Sequence, residues 1–207
     1  VIDYKFLKKP KITQEELADF WGGYKVEFKV INQQTYEKQG GNIEKIRRAA
    51  VVLNSNNSPV FEIEFSKFEF VGKKNEIKID GHKIYVYTPE MIVFEKLRAI
   101  CQQIPEYEEV IKSFKPRARA RDFYDIFLIM GIQKIDPETN ENKELIQNIF
   151  LAKKVPIGFI KKIRANKNIH ADNWQSVVDT VSPYEELKDF DYYFDFVLDQ
   201  FETITFL

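Results

Sequence analysis

The sequence predicts an α+β (α/β) chain, with strands gathered in its first 88 residues and helices after them. Two observations carry this. Between Val1 and Tyr87, apolar and polar residues alternate in several short runs, the period-two signature of half-buried strands. From Pro89 onward apolar residues recur at helical spacing, beginning with Val93, Leu97, Ile100 and Ile104. The expected division is a sheet domain over 1–88 and a helical domain over 89–207.

Val1 to Leu7 alternates like a strand, with Asp3 near its start. Thr13-Gln14-Glu15-Glu16 has the form of a capping box and predicts a short helix to about Phe20, ended by Gly22-Gly23. Tyr24 to Ile31 alternates strictly, placing Tyr24, Val26, Phe28 and Val30 on one face and Glu27 on the solvent side. Asn32 to Gly41 is a polar loop or short helix. Asn42 to Ala50 is a short helix whose Arg47-Arg48 end is either solvated or in reach of phosphate. Ser55 to Pro59 is a turn cluster, and Val60 to Val71 reads as a strand. Glu76–Ile79 and Lys83–Tyr87 form a hairpin about Asp80-Gly81, a strong type I′ signal, with His82 on its surface.

The stretch from Ile84 to Met130 holds the suggestive chemistry. Thr88 is a good N-cap, Pro89 fits the first helical position, and Glu90 suits the positive end of the helix dipole. Ile92 and Ala99 widen the apolar stripe of this helix, and Lys96 falls inside the widened arc. A lysine there must snorkel, meet a buried acid or face a cleft. The second helix, Arg121 to Met130, has its core stripe at Phe123, Ile126, Phe127 and Met130. Asp122 borders that stripe, Asp125 lies one turn on, and Arg121 to Asp125 is an i, i+4 pair. Two readings stay open. Asp122 pairs with Lys96 or a loop arginine and ties two helices together, or Lys96 and the aspartates line a site for a phosphate-bearing ligand. Lys112, Lys115, Arg117, Arg119 and Arg121 make the densest basic run, a solvated connection or a loop that meets nucleotide or RNA phosphates.

After Gly131 helices are expected over 142–153, 156–167 and 173–179, with a last one opened by Pro183 and running through Phe201. The basic segment 153–167 and the acidic one 185–202 either pack together or present partner surfaces.

Composition narrows the class. With a net charge of −1, the whole-molecule field argues neither for nor against nucleic acid. Eighteen Phe and ten Tyr predict an aromatic core. The lone Cys101 excludes an internal disulfide, suits a cytoplasmic chain and reads as a small buried hydrophobe. No apolar run approaches a membrane span, and no glycine-rich P-loop or dinucleotide fingerprint is present.

The run Tyr-Thr-Pro-Glu-Met-Ile-Val-Phe-Glu-Lys-Leu-Arg-Ala (87–99), followed by Arg-Ala-Arg-Asp-Phe-Tyr-Asp-Ile (119–126), resembles the paired C-terminal motifs of the AbiEii/AbiGii toxin family. These are nucleotidyltransferase-like members of bacterial type IV toxin–antitoxin and abortive-infection systems. Their pattern is tyrosine–serine/threonine–proline–glutamate at a helix start, then lysine–leucine–x–alanine, then arginine–aspartate–x–x–aspartate. The resemblance extends from the N-terminus to about Leu198 and is clearest from Gly23 to Met130.

The resemblance implies a nucleotidyltransferase-like mixed sheet with flanking helices, then a C-terminal helical bundle. It implies transfer of a nucleotide from an NTP to an acceptor hydroxyl of RNA, tRNA or protein, with Mg²⁺ and a cognate antitoxin as partner. Lys96, Asp122 and Asp125 become the expected catalytic residues, with Lys96, Arg119 and Arg121 on phosphate. Glu64, two residues before Ser66-Lys67, is the expected third metal-binding acid, and Asp3 the second. The first would fall on Val1, which cannot bind metal, and the glycine–serine turn is absent. The expectation is a fragment lacking half its site or a degenerate site, and the alternative function is a non-catalytic module that binds an antitoxin or RNA.

Overall fold

The computed structural model describes residues 1–9, 20, 22–52, 57–112 and 114–206. Residues 13–19 of the expected capping-box helix, and Ser55 and Asn56 of the turn cluster, lie outside the described residues. The chain forms two compact units, Val1–Phe68 and Glu69–Leu207. The 88/89 boundary expected from the helix start compares with an observed division at 68/69, because the hairpin belongs with the helices. The α+β class stands. Each described strand pair is antiparallel where a mixed sheet was expected.

In the first unit, β1 (Ile2–Lys9), β2 (Gly23–Lys29) and β3 (Phe61–Ser66) form one sheet in the order β1-β2-β3. The register opposes Phe6 to Val26 and Val26 to Ile63, and Leu7 to Lys25 and Lys25 to Glu64. One face is therefore apolar and aromatic, with Phe6 stacked on Tyr24 at 5.0 Å and Phe28 on Phe61 at 5.8 Å. The other carries charge, with Lys25 bonded to Glu27 at 2.7 Å and to Glu62 at 2.8 Å. A Cβ on Gly23 would stand 2.1 Å from the Phe65 carbonyl oxygen, so this strand start admits only glycine. The strand expected over 60–71 stops at Ser66. Two short helices follow β2: α1 (Gln33–Lys38) and α2 (Ile43–Arg48), capped by the side chains of Asn32 and Asn42.

The second unit opens with the hairpin β4 (Lys74–Ile79) and β5 (His82–Tyr87). Asp80 and Gly81 have φ of 49° and 82°, the two positive values a type I′ turn requires. The Tyr87 hydroxyl donates to Glu69 at 2.8 Å, and Lys73 pairs with Glu141 of the helical part. The helices are α3 (Pro89–Cys101), α4 (Ala120–Ile132), α5 (Asn140–Ala152), α6 (Lys167–Ala171), α7 (Trp174–Val178) and α8 (Phe190–Phe201). Their core is aromatic as composition predicts: Phe123 packs on Phe190 and Phe194, and Phe94 on Phe201. Cys101 is fully buried within it, and burial pushes its thiol well above the ordinary range.

Thr88 starts α3 as expected, its hydroxyl oxygen accepting from the Met91 N–H at 3.3 Å. Thr88→Ala is expected to cost about 1 kcal/mol in a thermal or urea unfolding measurement; an unchanged midpoint would mean water replaces this cap without loss.

Two helical expectations need correction. The helix expected over 156–167 is instead two 3₁₀ pieces, Ile157–Lys162 and Arg164–Asn166, leading into α6. Pro156 and Gly158 at its start favour a tighter, shorter turn over a propagating helix. Pro183 does not open the last helix. Asp189 does, its carboxylate accepting from the Tyr192 N–H at 3.0 Å, because a side-chain oxygen satisfies a helix-start donor and proline does not. The basic and acidic segments do pair, through Arg164 on Glu202 in a two-pronged bond (3.0 and 2.7 Å) and Lys167 on Asp191 at 2.8 Å. Among the described residues no helix is long and apolar enough to cross a membrane.

Candidate functional site

The two helices around Lys96 meet as the helical wheel predicts. Lys96 leaves α3 inside its apolar arc, and the first turns of α4 bring Asp122 and Asp125 opposite it. The Lys96 ammonium donates to Asp122 Oδ1 at 3.0 Å and to Asp125 Oδ2 at 2.7 Å. The three side chains are 23%, 13% and 24% exposed, so the cluster is recessed and still partly open to solvent. An ammonium has three donors, and these two bonds leave one for a visitor.

Two arginines flank the cluster. Arg119 Nη1 lies 3.6 Å from Asp122 Oδ2, and Arg121 Nε 3.9 Å from Asp125 Oδ1. Both are ion pairs longer than hydrogen bonds, and both arginine side chains stay about half exposed. Arg121 is braced from behind, donating to the Thr180 hydroxyl at 2.5 Å. The Asn173 side chain accepts from the Ala120 N–H at 3.1 Å and so caps α4 from a distant segment. The backbone of the basic loop is fastened where the Arg117 N–H meets Gln103 Oε1 at 2.9 Å.

Burial pulls the Lys96 pKa down, but the hydrogen bond to Asp125 and the charge of Asp122 outweigh it, leaving it above the ordinary lysine value. Lys96 is therefore an ammonium at neutral pH. It supplies charge and donors, and proton acceptance falls to the carboxylates. The cluster as a whole holds three cations against two carboxylates, a surplus that favours an anion beside it.

Asp3 and Glu64 belong to the first unit, and the structure does not bring them together. Asp3 sits at the irregularity in β1 pairing with φ of 51°. Both of its oxygens are taken, Oδ2 by Lys29 at 3.0 Å and Oδ1 by Arg47 at 2.8 Å. The Arg47 and Lys29 hydrogen bonds hold its pKa below the ordinary aspartate value. Glu64 lies on the far side of β2, opposite Lys25. Lys25 and Lys29 are four residues apart, about 13 Å along a strand. One ion cannot span that, and among the described residues no three His, Cys, Asp or Glu side chains are grouped to hold a metal. These residues as placed do not fit a shared Mg²⁺ site.

One residue at this site escaped the sequence. His170, on α6, is fully buried, its ring 5.2 Å from that of Phe123. Burial, with the Arg119 charge adding to it, brings its pKa down to about 4, so the imidazole is neutral. No local pattern marks it. A lone histidine on a five-residue helix carries no spacing signal.

A family model described as "Nucleotidyl transferase AbiEii toxin, Type IV TA system" matches residues 5–196. No curated protein and no solved structure matches the chain.

Proposed function

We infer, since this chain belongs to the AbiEii nucleotidyl transferase toxin family of type IV toxin–antitoxin systems, that it moves a nucleotide from an NTP to an acceptor hydroxyl. The observation that carries the reading is the Lys96 ammonium held between Asp122 and Asp125, with Arg119 and Arg121 beside it. The hydroxyl oxygen bonds to the α-phosphorus, the bond from that phosphorus to the bridging oxygen breaks, and pyrophosphate leaves with the electron pair. The hydroxyl proton goes to Asp125, the more exposed of the two carboxylates. Lys96, through its third donor, and the two arginines oppose the charge that gathers on the phosphates. Asp122 fixes the ammonium in place. The nucleotide enters as its Mg²⁺ complex, and no step here is assigned to a metal bound by this chain.

The acceptor is a hydroxyl of RNA, tRNA in particular, or of a protein, and a cognate antitoxin is the natural partner of a toxin of this kind. The alternative is a non-catalytic module that binds an antitoxin or RNA; the engagement of Asp3 by Lys29 and Arg47 favours it.

The test is transfer of label from each of the four α-labelled NTPs, with Mg²⁺, to total RNA and to protein. Label is expected in an acceptor with the wild-type chain, and at least about 100-fold less with Asp125→Asn. Absence of label with every nucleotide and acceptor would leave the binding module.

A further inference from the structure

We propose that His170 is a positioning residue for Arg119 and Asp122: when nucleotide is bound, its imidazole accepts the Arg119 Nε–H and donates to Asp122 Oδ2, holding the guanidinium fork toward the triphosphate. This rests on the nucleotidyl-transfer reading, which supplies the phosphate.

The starting point is an imbalance. Among the described residues the buried side-chain polar atoms with no hydrogen-bond partner are Arg119 Nε, Asp122 Oδ2, and both ring nitrogens of His170. Buried polar atoms in folded proteins are nearly always paired, and each exception calls for a cause. Here the exceptions complement one another. The Arg119 Nε–H only donates, the Asp122 oxygen only accepts, and a neutral imidazole does one of each. Two donors thus match two acceptors in number, with none left over.

They are also neighbours. Arg119 and Asp122 share the first turn of α4, where Nη1 and Oδ2 are 3.6 Å apart, just short of bonding. The next residue, Phe123, lies against the His170 ring, and Arg119 is near enough for its charge to bear on the imidazole. The stretch that delivers His170 is fastened to α4 at three further points: Asn173 on Ala120, Thr180 on Arg121, and Glu185 accepting from Tyr124 at 3.0 Å. An apolar ring would fill the same slot beside Phe123. A histidine there is explained by its nitrogens. In the structure the set is present and unmade. A triphosphate drawing the outer end of the guanidinium away from Asp122 turns Nε toward the imidazole and frees Oδ2 for the ring N–H.

Two experiments test this. The chain has two histidines, and His82 is exposed in the hairpin, so ¹⁵N imidazole NMR reads His170 cleanly. Adding inorganic tripolyphosphate is expected to move the His170 nitrogens to one fixed tautomer with both positions hydrogen bonded. The second compares tripolyphosphate Kd and NTP KM for His170→Gln, His170→Phe, Arg119→Gln and the double variant His170→Phe/Arg119→Gln, with Tm for each. Glutamine supplies one donor and one acceptor and is expected to stay within about threefold of wild type. Phenylalanine is expected to raise Kd and KM about tenfold while kcat changes less, and to add nothing once Arg119 is gone. Binding by His170→Phe equal to wild type, effects of the two sites that simply multiply, or no tripolyphosphate binding by wild type would each overturn the proposal. Failure of label transfer with this binding pattern intact sinks the transferase reading alone. Transfer with the pattern absent sinks this inference alone.

Discussion

Lys96→Ala is expected to lower nucleotide transfer by on the order of 10² to 10³-fold at a temperature where the variant remains folded. The change removes the cation that, among the described residues, bonds to both aspartates, at 3.0 and 2.7 Å. It also leaves Asp122 and Asp125 facing each other with less compensation. Breaking a fully buried pair costs about 3–5 kcal/mol. These side chains are 13–24% exposed, so solvent and the two arginines reduce the loss to about 2 kcal/mol. The two consequences separate the structural tie from the working group. Were Lys96 only a tie between α3 and α4, transfer across Lys96→Arg, Lys96→Met and Lys96→Ala would follow the folded fraction measured by circular dichroism. As a phosphate-facing group it follows the ammonium instead. Lys96→Met and Lys96→Ala lose transfer while folded, and millimolar propylammonium restores part of it to the alanine variant. Full transfer by folded Lys96→Met would end the assignment.

The parts of this site visible in the sequence are those set by local chemistry. Thr88, Pro89 and Glu90 mark a helix start because capping is decided within one turn. Lys96 and Asp122 stand out because each breaks an apolar arc whose period the neighbouring residues fix. Asp80-Gly81 declares its turn because few residues accept two positive φ values. What escaped depends on register and on distant segments. Asp3 and Glu64 are both acids on strands, and only the pairing of β1 and β3 with β2 shows that they lie four residues out of step. Arg47, which takes up one oxygen of Asp3, comes from a helix end that reads as solvated. Asn173, Thr180 and His170 brace α4 from a stretch that reads as ordinary helix and loop, since nothing in their own neighbourhoods announces a partner fifty residues earlier. At Lys96 the ammonium does bond both acids. Contact serves both readings, so the kinetic separation above, and not the distance, decides between them.

Acid is expected to destabilise the helical unit through His170, beginning below about pH 6.5. The folded-state pKa of about 4 lies below the ordinary value of 6.5, so the native state prefers the neutral ring. That preference contributes in full above pH 6.5 and is lost as pH falls from 6.5 to about 4, at about 1.4 kcal/mol per pH unit. The total is about 3 kcal/mol, a large fraction of the stability of an ordinary domain. Glu106 and Glu202, whose pKa values are lowered by Lys162 and Arg164, lose stability at lower pH and for their own reasons. Subtraction removes them. Urea unfolding of wild type and His170→Phe at pH 7.0, 5.5 and 4.5 is expected to show the stability of wild type relative to the variant falling by about 2–3 kcal/mol. A difference that stays flat would mean the ring takes a proton without penalty. The slot between Phe123 and Arg119 would then be wet, or the imidazole would already be paired with Asp122. Arg119→Gln supplies the converse. With the guanidinium charge gone, burial alone holds the His170 pKa down, so the pKa rises from about 4, the window narrows from its acid end and the total loss shrinks with it. A window that does not narrow would place Arg119 too far from the ring for the pairing proposed above.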